Sequence, residues 1–588
     1  MFLKNLWQRL IAKERWNQAK LENPSSIWPS TFQWSKLLSV LSLREKLILA
    51  ISVGTFIIAL VIWGAYFLNK HTKQTAAYGG AYTEAIVGQP KHINPILAPT
   101  NPADRDLSAL IFSGLTRYDN KGNIVPDLAE RWDILEDGKV YEFHLRPDLV
   151  WPDGESLNAQ DVIFTIQKIQ NNSVRNSLLP NWLSVKAEEG SDASIVKFTL
   201  PAPYSPFLQN TTVGILPRHL WAEVQNENFS GHELNTKPMG AGAYSIDRIE
   251  RERPSGSIVS ITLKPNEKYW DRAPYIQTLK FKFFQTPEEA ADAYRQKSVD
   301  AMGGINASNV SLLRQNDLVI SASLPRYFAI FFNQTASKII ADKTVRLALS
   351  YATDKNKILN EIWHGYGQTL DSPLVNGMLG YTEDLPKYDF APDHARNILE
   401  ATGWTDTDND NIRSKGGNNL VITITTLDNP ELTKTAEMLK SMWGAVGVST
   451  EIKVLSNSQL RDDAIRPRTY EALLFGYELS IDPDPFSFWH SSQRFDPWPN
   501  LSLYNNKEMD KILEEARQKQ NPLDRAELYK KFQQTIIDDA PALFLVAPEF
   551  IYPNTPKLKG IEINFLANPS WRFAEIKNWH LKTKIELK

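Results

Sequence analysis

The 588-residue chain contains no cysteine. Disulfide bonds, thiolate catalysis and cysteine-ligated metal sites are therefore excluded. A lipid anchor carried by a cysteine is excluded as well. Any attachment of this protein to a membrane must therefore come from another part of the chain.

A surplus of positive charge is also missing, because 65 Lys and Arg stand against 68 Asp and Glu, for a formal net charge of −3. Binding to nucleic acid is therefore not expected. The chain has no Gly-x-Ser-x-Gly elbow, P-loop, His-Glu-x-x-His or Gly-x-Gly-x-x-Gly motif. Its nine His residues are scattered, with none at i, i+4 spacing. The sequence predicts no enzyme, no cofactor and no metal site.

One long stretch without charge, 47–68, stands out near the N-terminus. About 20 apolar residues suffice to span a bilayer as a helix. The segment 1–46 before it carries more basic than acidic residues, which predicts a cytoplasmic N-terminal tail and an uncleaved signal anchor. The polar segment 69–80 is then a linker. A buried core helix and a signal peptide cleaved after Ala76 or Ala77 are the alternatives.

The length of the chain predicts two or more folding units. The 17 Trp residues favour large cores, because buried aromatic side chains mostly supply packing area. An aromatic-lined cleft is the alternative explanation for some of them.

The stretch 112–164 contains a series of turn signals. Asn120-Lys121-Gly122 and Asp137-Gly138 each separate two short strand-like runs, and glycine supplies the positive φ that tight hairpins need. Asn158 is a candidate N-cap, with Asp161 three residues later as its partner in a capping box. We therefore expect two hairpins followed by a helix.

The order of these segments resembles that of one family closely. The matching segments are Gly114-Leu115, Gly122, Pro126-Asp127-Leu128-Ala129-Glu130-Arg131-Trp132, Asp137-Gly138, Phe143-His144-Leu145-Arg146 and Asp153-Gly154. They resemble the extracytoplasmic solute-binding proteins of ABC transporters, in the oligopeptide, dipeptide and nickel class. Further similar segments run from Val345-Arg346 to Asp354 and from His394 to Trp404. The resemblance covers roughly 81–575.

The resemblance implies an α/β fold of the type II periplasmic-binding-protein kind, with two lobes, two crossing strands and a ligand cleft between the lobes. The implied domains are 81–330 for lobe I with an inserted subdomain at about 116–236, 331–546 for lobe II, and 547–588 for a C-terminal return to lobe I. The lobes are expected to close on the ligand by a hinge motion.

Candidate ligand contacts also follow from the resemblance. In peptide binders of this family a Gly-Trp segment lines the cleft, and an Asp shortly after it pairs with the peptide ammonium group. Gly476-Tyr477 matches the first part, but Ser480 or Ile481 occupies the position of the Asp. The candidate ligand-binding residues are Asn94, Arg466, Gly476, Tyr477, Asp482, Asp484 and Trp489. A turn-forming role before Pro483 is the alternative for Asp482.

An acidic loop, 405–412, places Asp406, Asp408 and Asp410 at positions 1, 3 and 5 of a calcium-type loop. Position 6 is Asn411 and position 12 is Gly417, where an EF-hand has Gly and Glu. The pattern therefore favours a solvated turn over a calcium site.

The predicted function is that of a monomeric, membrane-anchored solute-binding protein with its binding domain periplasmic or extracellular. It would capture a peptide or similar small molecule and deliver it to ABC permease subunits. The scattered histidines give no support to nickel binding. A peptide-sensing receptor is the alternative, because the tail 1–46 carries four Trp residues that favour an internal partner.

Overall fold

The computed structural model describes residues 41–313 and 317–587. These form two units: one contains the N-terminal helix together with 583–587, and the other spans 77–582. Most of the predicted cytoplasmic tail, 1–40, lies outside the described residues.

The N-terminal unit is built on the 29-residue helix Leu43–His71, which contains the predicted span. Ser42 and Glu45 form a reciprocal capping box at its start. None of its side chains is buried, and the helix is long and apolar enough to cross a membrane. The strand Thr72–Ala77 follows and pairs with the C-terminal strand Lys582–Leu587.

A seven-stranded sheet forms the base of what we call the first lobe. In spatial order its strands are Leu318–Ala322, Phe550–Asn554, Ala301–Met302, Ala81–Val87, Thr278–Phe284, Ile258–Pro265 and Tyr244–Arg251. The two central strands run parallel, with Phe281 opposite Glu84. Leu279, Phe281 and Phe283 alternate with less buried residues and pack into the core.

A four-stranded antiparallel sheet belongs to the same lobe and shares its core. Its strands, in spatial order, are Ala129–Leu135, Val140–Leu145, Ile195–Thr199 and Lys186–Glu189. Asp137 and Gly138 both have positive φ in the turn between the first two strands, so the predicted hairpin is confirmed. The second predicted hairpin joins Thr116–Tyr118 to Ile124–Pro126. The predicted capping box of Asn158 opens the helix Ala159–Gln170.

A six-stranded sheet between two helical layers forms the second lobe. Its strands, in spatial order, are Gly367–Thr369, Ala542–Pro548, Arg326–Phe332, Ala472–Glu478, Val421–Leu427 and Ser449–Leu455. Lys343–Tyr351, Pro392–Ala401 and Pro430–Gly444 cover one face, and Lys507–Gln518 and Pro522–Asp539 cover the other. Along Arg326–Phe332 alternate side chains enter the two cores, with Phe331 on one face and Phe332 on the other.

Shorter elements complete the chain. The helix Pro102–Ile111 precedes the hairpin formed by Thr116–Tyr118 and Ile124–Pro126. Besides several 3-10 turns, the shorter helices of the described residues are Leu179–Trp182, Phe207–Asn210, Arg218–Trp221, Pro287–Arg295, Lys338–Ala341, Lys355–Ile362, Asn457–Gln459, Leu460–Ile465 and Phe486–Trp489. The strands Ser414–Lys415 and Asn418–Asn419 form a small ribbon.

The chain crosses between the two lobes twice, once between Ala322 and Arg326 and once between Pro548 and Phe550. Two crossings are what the family resemblance predicted. The predicted lobe boundary at 330 falls inside the strand Arg326–Phe332, which belongs to the second lobe. An apolar run of seven residues indicates a buried strand, but it does not indicate the sheet in which the strand pairs.

The acidic loop forms a turn held by its own backbone. Asp406 accepts hydrogen bonds from the backbone N–H groups of Asn409 (2.8 Å) and Asn411 (3.1 Å), and Asp410 accepts one from Ile412 (2.7 Å). The three carboxylates are exposed and close together. Two of them accept backbone hydrogen bonds, as the side chains of Asx turns do.

Candidate functional site

A cavity of about 580 Å³ lies between the two lobes, within the range typical of small-molecule sites. Most of its wall comes from the first lobe, from segments within 95–214 and 567–576. The second lobe contributes residues within 478–488, directly after the strand Ala472–Glu478. We refer to it below as the interlobe cavity.

The helix Pro102–Ile111 supplies one face of the first-lobe wall. Asn101 caps it, its side chain accepting from the backbone N–H of Ala103 at 2.9 Å. Arg105, Ser108 and Phe112 all line the cavity, and their spacing of i, i+3 and i+7 places them on one side of the helix. The opposite side of the same helix packs into the core.

A buried carboxylate stands in another part of this wall. Asp127 accepts a hydrogen bond from Trp270 Nε1 at 2.8 Å. Burial raises its pKa to about 6, against the opposing effects of the Trp270 hydrogen bond and the nearby charge of Arg117. Arg117 also lines the cavity and forms a 2.8 Å ion pair with Glu575. The charges of this region are therefore largely balanced within the first lobe.

Replacement of Asp127 by Asn tests this buried carboxyl. Because its pKa is raised from 3.8 to about 6, the folded protein holds the proton more tightly than the unfolded chain does. The carboxyl then favours folding below about pH 4, and this contribution is lost as the pH rises through 6. We expect the stability of Asp127→Asn relative to wild type to rise by up to about 3 kcal/mol between pH 4 and pH 7. Urea denaturation of both proteins at each pH measures it, and a difference independent of pH would contradict it.

The second-lobe wall is held in place by two arginines behind it. Asp484 lines the cavity and accepts two hydrogen bonds from Arg517, of 2.8 and 2.5 Å. Asp482 lies next to it and forms a similar two-bond pair with Arg525, one bond being 2.8 Å. Burial raises the pKa of Asp482, and the hydrogen bonds and charge of Arg525 oppose that rise. Both carboxylates thus have arginine partners.

The two lobes touch next to the cavity. The Tyr204 hydroxyl of the first lobe donates to Asp484 at 3.1 Å, and the backbone N–H of Ser205 donates to the carbonyl of Arg517 at 2.9 Å. Gly122 has a φ of +85°, and a Cβ there would lie 2.9 Å from Ile481 of the second lobe. Glycine therefore satisfies both the turn and the close approach of the lobes.

Residues 123–499 match the model of the bacterial extracellular solute-binding proteins, family 5. The chain belongs to this family. The oligopeptide-binding protein AppA of Bacillus subtilis is 24% identical over 528 residues, covering 88% of this chain and 95% of that protein. The similarity to AppA thus extends over nearly the whole length of both chains.

Solved structures give the same fold. NikZ of Campylobacter jejuni, solved in complex with Ni(L-His), has a TM-score of 0.68 and 27% identity, covering 85% of this chain and 99% of its own. CtaP of Listeria monocytogenes, an ABC transporter substrate-binding protein, has a TM-score of 0.73 and 24% identity, covering 86% and 99%. The predicted type II periplasmic-binding-protein fold of this family 5 member is thereby confirmed.

Of the seven residues predicted to contact ligand in this family 5 protein, Asp484 lies on the wall of the interlobe cavity. Asn94 is fully buried next to Pro95, which does line the cavity, and its side-chain amide donates to Asn235 at 3.0 Å. Arg466 is exposed and pairs with Asp462 at 2.8 Å, away from the wall.

The other predicted contacts lie behind the wall. Gly476 is opposite Phe328 in the sheet, and a Cβ there would come within 2.8 Å of the Phe328 ring. Tyr477 is buried; its hydroxyl accepts from Leu501 N–H at 3.1 Å and also donates to a backbone carbonyl. Trp489 is in the second-lobe core, and Asp482 faces Arg525. These residues support the wall, because the chain turns toward the cavity only after Tyr477.

The aromatic part of the wall comes from residues that the sequence did not single out. It consists of Phe112, Tyr118, Trp182, Tyr204, Tyr269, Phe488, Trp571 and Phe573. They come from distant segments of both lobes, so no local pattern marks them. The sequence does contain one signal for part of the wall. The helical spacing of Arg105, Ser108 and Phe112 shows that these three residues share one face of a helix.

Proposed function

We propose that this protein is anchored in a membrane by the helix Leu43–His71, captures a short peptide or similar solute in the interlobe cavity, and delivers it to an ABC permease. The observation that carries this proposal is that both lobes contribute to one cavity of about 580 Å³. A solute bound there would contact both lobes at once, and would therefore stabilise their closed arrangement.

The character of the wall favours a peptide-like solute. The cavity combines aromatic rings with polar side chains such as Gln209, Asn210 and Ser480. Apolar rings can accept varied side chains, and polar groups can pair with peptide N–H and C=O groups. In this proposal Asp484 and the segment 478–481 contact the solute, whereas Asp482 braces the loop through Arg525.

The membrane helix supports the proposed location. It is apolar and none of its side chains is buried, which in a helix of this length is typical of a membrane span. We propose that it stays attached, with the N-terminus in the cytoplasm and the binding unit outside, and that the protein acts as a monomer. The relatives named above are called an oligopeptide-binding protein and an ABC transporter substrate-binding protein.

Native mass spectrometry of the full chain, extracted from membranes in detergent and not refolded, tests the proposal. We expect the mass of the uncleaved 588-residue chain and a series of added masses that fit short peptides. A mass corresponding to cleavage near Ala76 would contradict the anchor. A chain that carries no solute and takes up none from a peptide pool would contradict peptide capture.

A further inference from the structure

The charged residues on the wall of the interlobe cavity differ in how they are paired. Arg117 forms an ion pair with Glu575, and Asp484 forms one with Arg517. Asp127 accepts a hydrogen bond from Trp270. Glu478 lies opposite Arg326 in the sheet but forms no ion pair in the described part of the chain. Arg105 also lines the cavity. Among the described residues, no carboxylate lies within ion-pair distance of it.

The guanidinium of Arg105 is poorly satisfied as well. Its hydrogen bond to the carbonyl of Pro99 is long, at 3.4 Å. Its Nε is buried and has no partner among the described residues. One turn along the helix, the hydroxyl of Ser108 is also buried without a partner, in a residue that is 7% exposed. Buried polar groups are normally hydrogen-bonded, so two neighbouring exceptions on a cavity wall indicate a missing acceptor.

The missing acceptor must accept hydrogen bonds from two side chains at once, the guanidinium of Arg105 and the hydroxyl of Ser108. Arginine presents its N–H groups as a planar fork that matches a carboxylate, and a serine hydroxyl can add a third hydrogen bond. The requirement is therefore for an anionic group with at least two acceptor oxygens.

Another part of the wall supplies one hydrogen-bond acceptor and one donor that could pair with an amide group. Gln209 and Asn210 lie at the end of the helix Phe207–Asn210 and line the same cavity. The Oε1 atom of Gln209 and the Nδ2 atom of Asn210 are buried without partners in the described part of the chain. One is an acceptor and the other a donor, which is what a peptide N–H and C=O require.

We propose that Arg105 and Ser108 form a carboxylate-binding subsite in the first lobe, and that Gln209 and Asn210 bind an amide of the same solute. The solute class is therefore a short peptide, or an acylated amino acid, with a free C-terminal carboxylate. This rests on the proposed function. The carboxylate end binds the first lobe, and the second lobe closes over the remainder with residues 478–488.

Two peptide libraries test the subsite. Both contain the same sequences of two to five residues, one with free C-terminal carboxylates and the other with C-terminal amides. Binding to the full chain in detergent is measured by native mass spectrometry and by tryptophan fluorescence. A lost charge-assisted hydrogen-bond pair corresponds to about 10- to 100-fold in affinity. We expect wild type to bind the acids about 10- to 100-fold more tightly than the amides.

Variants assign this preference to Arg105. In Arg105→Gln we expect the acids to bind about as weakly as the amides, whereas Arg105→Lys should keep part of the preference because it keeps the charge. Arg131→Gln, at an exposed ion pair in the same lobe, is the matched control and should behave as wild type. Thermal midpoints show whether each variant is folded.

The outcomes separate the subsite from the proposed function. If wild type binds acids and amides equally, or Arg105→Gln keeps the preference, the subsite is wrong while peptide capture stands. If wild type binds neither library, peptide capture fails and the subsite falls with it.

Discussion

Replacing Arg572 by Met should destabilise the first lobe by about 3–5 kcal/mol, the range found when one partner of a buried ion pair is removed. Arg572 is 2% exposed and is surrounded by two acids. Its Nη2 donates to Glu84 at 2.6 Å and to Asp106 at 2.5 Å. Methionine would fill much of the same volume, but it would leave both carboxylates buried without a cation.

The pH dependence of this loss follows from Glu84. Burial raises the pKa of Glu84, and Arg572 opposes that rise. Without the arginine, the carboxyl would hold its proton to higher pH, and the protonated form costs less to bury. The stability deficit of Arg572→Met should therefore be largest at pH 7 and shrink as the pH falls toward 5.

Urea denaturation followed by tryptophan fluorescence measures the effect, since Trp579 packs near Phe573 in the same core. Arg131→Met is the matched control, because Arg131 pairs with Asp133 at 2.9 Å on the exposed surface, where such pairs contribute about 0–1 kcal/mol. Equal losses in the two variants would show that the buried cluster is not a special source of stability.

Replacing Ser480 by Trp should reduce binding of peptides at least about 100-fold, since a bulky ring would occupy space that the solute needs. Ser480 lies on the second-lobe wall of the interlobe cavity and is exposed to it. The change should leave the fold intact because the side chain has room. Titration of wild type and variant with the free-acid peptide library compares their affinities.

The control for this variant is Ser458→Trp. Ser458 is also exposed but lies in the short helix Asn457–Gln459, outside the cavity wall. The Ser458→Trp variant should bind peptides with the affinity of the wild type. Unchanged binding by Ser480→Trp, with both variants folded, would place the solute somewhere other than this cavity.

Much of the architecture followed from the sequence. The uncharged run 47–68 predicted the helix Leu43–His71, because a bilayer sets the length of an apolar helix. Asp137-Gly138 and the capping pair Asn158 and Asp161 fixed a hairpin and a helix start. These features depend on residues close together in the chain, so local chemistry determines them.

The binding site depended on tertiary structure. Asp482 and Asp484 are nearly equivalent in the sequence, yet only Asp484 lines the cavity, because Arg525 and Arg517 from later helices hold the two side chains in different places. Arg105 was not distinguishable from other helical arginines. We assign it to the proposed carboxylate subsite because no carboxylate of the described residues pairs with it, and a sequence does not show which side chains lack an ion-pair partner.

The sequence by itself therefore determined the family, the two-lobed fold, the apolar N-terminal helix and the absence of cysteine chemistry. The tertiary structure alone decided which residues face the interlobe cavity. The physical reason is that the cavity forms between segments hundreds of residues apart, such as the wall helix Pro102–Ile111 and the loop 478–488. Which side chains there keep a partner and which are left free depends on long-range packing.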